Sequence, residues 1–124
     1  TLGLHIADAA TGQCFYVVTA CAGVDDALKA RLRGAALVFF DGTLWRDDEL
    51  IEAGLGHKTG QRMGHISMSG EGGAIAALAD LGIARKIFLH INNSNPVWLH
   101  GSAERDAVTK AGWEIPSDGT EIVI

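Results

Sequence analysis

Ala35-Ala36-Leu37-Val38-Phe39-Phe40-Asp41-Gly42-Thr43-Leu44-Trp45 is the stretch on which the reading of this 124-residue chain turns. The unbroken apolar run before Asp41 predicts a short strand buried on both faces, the kind found inside a covered parallel sheet. A carboxylate where that run stops, followed by a glycine turn, lies at the sheet edge where α/β proteins build their sites. The arrangement recurs downstream. Lys86-Ile87-Phe88-Leu89 predicts a second buried strand ending at His90, before the polar turn Asn92-Asn93-Ser94-Asn95-Pro96.

Working outward, Leu2, Leu4 and Ile6 alternate with Gly3 and His5, and a turn at 9–12 leads to an apolar run over 13–18, which predicts a hairpin. Apolar spacing predicts a helix over 24–33, stopped by Gly34, and another from Ser69 through Leu81, stopped by Gly82. A strand is expected over 83–91. Ser102 is placed to cap a helix over 103–111, with Glu104 in its first turn, and 113–115 and 120–124 predict a closing pair of strands. Between Gly42 and Ser69 the periodicity fades into a glycine-rich loop, and a loop of that length inside a domain is usually functional. Strands alternating with helices predict an α/β fold with a largely parallel sheet flanked by helices, and a single unit over 1–124.

Composition narrows the function. With 48% hydrophobic and 20% charged residues this is globular material, and no apolar stretch approaches the ~20 residues of a membrane span. A net charge of −5 and the lack of a basic stripe exclude a general nucleic-acid binder. Cys14 and Cys21 have neither redox nor zinc-ribbon spacing and read as reduced core thiols of a cytoplasmic protein. No secretory signal pattern opens the chain. A start at Thr1 inside a strand pattern is expected of a piece of a longer protein.

The chemistry-bearing candidates cluster at the strand exits. Asp41 and His90 offer carboxylate oxygen and imidazole nitrogen to a divalent metal, and a His and carboxylate set with open positions suits non-haem iron. His65, in the loop before the next helix, is a third ligand, a partner orienting Asp41 or a substrate contact. Lys58 and Arg62 suit a substrate bearing carboxylates. Asn92, Asn93 and Asn95 offer amides either to a substrate or to the turn itself. His57 lies in the same loop with less to support it, and His5 and His100 have no supporting neighbours.

Asp41-Gly42-Thr43-Leu44-Trp45, Lys58-Thr59-Gly60-Gln61-Arg62-Met63-Gly64-His65-Ile66-Ser67-Met68-Ser69-Gly70 and Phe88-Leu89-His90-Ile91-Asn92-Asn93-Ser94-Asn95-Pro96 together resemble the B-protein family of coenzyme PQQ (pyrroloquinoline quinone) biosynthesis, within the metallo-β-lactamase superfamily. The resemblance runs over essentially the whole chain and corresponds to the C-terminal portion of those proteins. It implies the second half of an αββα sandwich, with metal at the edge between two sheets. It gives Asp41 and His90 metal roles and places His65 beside the metal as a catalytic group. The remaining ligands and a structural zinc site would lie in the first half, outside this segment.

The implied activity is iron- and oxygen-dependent hydroxylation of the tyrosine ring of a Glu-Tyr unit cut from a precursor peptide, in the cytoplasm. The alternative is a non-catalytic carrier of the quinone or its precursor toward the periplasm. On either reading the isolated segment is expected to be inactive, and to associate with itself or with the N-terminal half.

Overall fold

The computed structural model describes residues 2–124. Five strands run β1 (Leu4–Ala7), β2 (Cys14–Val18), β3 (Leu37–Asp41), β4 (Arg85–Leu89) and β5 (Trp113–Glu114), and they lie in the sheet in that same order. β1 and β2 form the expected antiparallel hairpin, with His5 stacked on Tyr16; every later pairing is parallel. Four helices fill the crossovers: α1 (Asp26–Leu32), α2 (Glu49–Glu52), α3 (Ala74–Leu78) and α4 (Ala103–Lys110).

Local signals explain these boundaries. Asp25 caps α1 by accepting from the Leu28 N–H at 2.8 Å, and Ser102 caps α4 by accepting from Arg105 N–H at 3.0 Å. Gly34, Gly82 and Gly112 end the preceding elements with positive φ, where a Cβ would be strained. Parallel strands taken in sequence order by crossovers of one hand put all the helices on one face. That face holds the core: Val18, Val38, Phe40, Phe88 and Trp113 from the sheet meet Leu32, Ala74, Leu78 and Val108 from the helices.

The opposite face has a different character. The register places Leu4, Val17, Phe39 and Ile87 in one cross-strand row, with Ile6 and Phe15 in the next. Phe15 and Phe39 pack edge to face at 5.5 Å, while Leu4 and Ile6 remain 53% and 42% exposed. Leu4 and Ile6 leave the hairpin end of this face open, whereas Ile87 is 1% exposed and Phe39 lines a cleft with Trp98 and Ile122.

Two expectations are corrected. The helix predicted over 69–81 is confined to Ala74–Leu78, because Gly70 adopts φ +85° and the chain turns at 70–73 before Gly73 starts the helix. The closing strand pair is a single two-residue strand, Trp113–Glu114, parallel to β4. Pro116 and the positive φ of Gly119 break the run, so 120–124 forms no strand.

Candidate metal centre

β3 and β4 are parallel and in register, with Asp41 opposite Leu89, so Asp41 and His90 emerge at one edge of the sheet. Gly42 allows the two exits to close. Its N–H donates to the Leu89 carbonyl at 2.8 Å, and a Cβ there would lie 2.9 Å from both Met68 Cε and Phe88 Cβ. His90 has φ +57°, alone in the left-handed region among the described non-glycine residues. Backbone strain of this kind is held only where the surroundings enforce it.

Asp41 is fully buried, and each of its oxygens meets two donors. Oδ1 accepts from the Thr43 N–H (3.1 Å) and hydroxyl (2.7 Å); Oδ2 accepts from the Cys21 N–H (3.0 Å) and faces His65 Nδ1 at 2.8 Å. Those contacts occupy about as many lone-pair positions as a carboxylate has. An ion reaching Oδ2 would therefore take the place of the His65 hydrogen.

The loop carries His65 to this point because its backbone is pinned on both sides. The His65 N–H donates to Gly60 O (2.9 Å), the Ile66 N–H donates to Cys21 O (2.5 Å), and Gly64 turns the chain with φ +89°. The His65 and His90 rings stack, with centroids 5.2 Å apart. One ligand atom from each of Asp41, His65 and His90 falls within 4.8 Å of the others. This mixed oxygen and nitrogen donor set suits zinc or ferrous iron.

The other predicted residues divide. Lys58 and Arg62 are exposed on the loop that leads to His65, and Asn93 is exposed beyond His90. Asn92 is half-buried, its N–H donating to Thr43 O and its carbonyl accepting from Trp98 Nε1. Asn95 is 2% exposed, and its amide engages the protein itself: Nδ2 donates to Gly42 O (3.1 Å) and Thr43 O (3.3 Å), and Oδ1 accepts from Val97 N–H (3.1 Å). It braces the Asp41 turn. Of the two cysteines, Cys21 belongs to the core and Cys14 is half-buried on β2.

Sequence reading missed Thr43. Its hydroxyl touches Asp41, His65 and His90 at once, at 2.7, 3.1 and 2.8 Å. A hydroxyl two positions after a turn carboxylate was the available signal. Beside His90 lies a cleft of about 560 Å³ lined by Phe39, Leu89, Trp98, Asp118 and Ile122.

Residues 1–91 match the Beta-lactamase superfamily domain. The chain belongs to that superfamily. Across its full length it is 69% identical to coenzyme PQQ synthesis protein B of Bradyrhizobium diazoefficiens and 71% identical to that of Rhodopseudomonas palustris strain BisB5, covering 40% of each. The chain thus spans about two fifths of the length of these relatives. The crystal structure of Zn(2+)-bound PqqB from Methylobacterium extorquens shares its fold at TM-score 0.93 and 47% identity, over 98% of this chain and 43% of that one. A diphosphatase of the PhnP family, 18% identical with TM-score 0.58 over 89% of this chain and 35% of its own, shares the superfamily fold alone. The family resemblance and the α/β class expected from the sequence both hold.

Proposed function

We propose that this chain carries part of the metal site of a protein of coenzyme PQQ biosynthesis, which hydroxylates the tyrosine ring of a Glu-Tyr unit derived from a precursor peptide in the cytoplasm. The observation that carries the reading is the convergence of Asp41, His65 and His90 within 4.8 Å at adjoining strand exits. Similarity to the PQQ synthesis proteins, and to a zinc-bound relative, supports the pathway and a divalent metal.

In this reading His90 holds the ion directly, and Asp41 either joins it or anchors His65 beside it. A divalent ion, ferrous iron for hydroxylation, supplies Lewis-acid and redox chemistry when bound. Lys58 and Arg62, exposed on the loop before His65, pair with substrate carboxylates. Burial of Asp41 and Thr43 keeps water from the inner side of the centre.

The test uses the complete protein with ferrous iron, oxygen and a Glu-Tyr substrate. His90→Ala is expected to lower turnover by about a hundredfold or more, beyond the usual effect of losing a supporting residue. Undiminished hydroxylation would sink the assignment. Tight quinone binding by metal-free protein, without turnover, would favour the carrier reading instead.

A further inference from the structure

We infer that Thr43 is the positioning residue of this centre: its hydroxyl fixes the tautomer and ring orientation of His90, leaving Nε2 unprotonated for a metal. This inference rests on the metal-site reading above. Thr43 is 8% exposed, so its hydroxyl is satisfied by protein groups. Four of them surround Oγ1: Asp41 Oδ1 at 2.7 Å, His90 Nδ1 at 2.8 Å, the His90 carbonyl at 3.0 Å and His65 Nδ1 at 3.1 Å.

A hydroxyl has one hydrogen to donate and two lone pairs with which to accept. The shortest contact is to the Asp41 carboxylate, and a charged acceptor makes the stronger bond, so the hydrogen goes there. Toward His90 Nδ1 the Thr43 oxygen can then only accept. Nδ1 must carry the ring hydrogen, and a neutral imidazole with hydrogen on Nδ1 has its lone pair on Nε2. Donation to the His90 carbonyl instead would leave the same result, since both alternatives are acceptors.

Asp41 does for His65 what Thr43 does for His90. Oδ2 lies 2.8 Å from His65 Nδ1, inside the 3.1 Å to Thr43, so that ring also carries its hydrogen on Nδ1. Thr43 additionally touches the carbonyl of His90, the residue with left-handed backbone. With its hydrogen on Asp41 the hydroxyl braces the His90 ring; turned to the carbonyl it would brace the backbone instead, and in both states it accepts from Nδ1. The chemistry matches the support that metal-bound histidines ordinarily receive on their second nitrogen.

Two measurements on the complete protein test this. Long-range ¹H–¹⁵N spectra of the metal-free protein are expected to show His90 with hydrogen on Nδ1; hydrogen on Nε2 would overturn the inference without any variant. Titration with Co²⁺, followed through its visible bands, reports affinity at a nitrogen and oxygen site apart from any thiolate site. Thr43→Val, which keeps the shape and removes the hydroxyl, is expected to weaken Co²⁺ binding about 10- to 100-fold, and Thr43→Ser to stay within about threefold of the native protein. Native affinity in Thr43→Val, with His90→Ala abolishing binding, would refute the role of Thr43 alone. Native affinity in His90→Ala would refute the metal-site reading beneath it.

Discussion

Asn95→Ala separates a structural amide from a substrate contact. The side chain makes four hydrogen bonds inside the protein, donating to Gly42 O, Thr43 O and Met68 Sδ and accepting from Val97 N–H. Truncation leaves Thr43 O with its bond from the Asn92 N–H, but removes the side-chain partners of Gly42 O and Val97 N–H. Val97 is fully buried and Gly42 is buried, and orphaning a buried polar group costs about 1–3 kcal/mol. Two such groups set a loss of about 2–6 kcal/mol. Water entering the vacated space favours the lower half of that range. The assay is urea unfolding of the native and Asn95→Ala proteins at one pH, with ligand affinity measured alongside. A stability change below about 1 kcal/mol, together with weakened substrate binding, would refute the reasoning and return Asn95 to the substrate site.

Two further outcomes follow from burial. Desolvation raises the carboxyl pKa of Glu49, whose Oε2 is buried without a hydrogen-bond partner among the described residues. A raised folded-state pKa contributes stability below the unfolded value near ~4.3 and loses it as pH rises through the folded value. Glu49→Gln is therefore expected to be more stable than the native protein at pH 7, an advantage that disappears below about pH 4. Urea unfolding at both pH values checks this, and a gain independent of pH would count against it. The second outcome concerns the open hairpin end of the sheet face opposite the core, where Leu4 and Ile6 are half exposed beside the half-buried Phe15 and Val17. We propose that the remainder of a longer protein packs there, so the isolated 124-residue chain should self-associate. Light scattering showing a stable monomer at micromolar concentration would argue otherwise.

How far the sequence could be read depends on the range of the interactions involved. Ala35–Phe40, 13–18 and 83–91 announced their strands through local apolar runs, and Asp25, Ser102, Gly34 and Gly82 announced helix ends through local backbone chemistry. The helix over 69–81 was overdrawn because apolar spacing says nothing of the turn at 70–73. The strand over 120–124 was overdrawn because its partner had to come from elsewhere in the chain, and none pairs with it among the described residues.

By itself, then, the sequence determined the α/β class, the two strand exits and the candidacy of Asp41 and His90, because strand patterning and ionisable residues at apolar boundaries are properties of neighbours in the chain. Only the tertiary structure decided that Asn95 braces the turn, that His65 leans on Asp41, and that Thr43 joins all three site residues. Those facts depend on hydrogen bonds between residues 22 to 53 positions apart, whose geometry no local pattern encodes. The parallel register of β3 and β4 also lies beyond local pattern, and it brings the two exits to one edge.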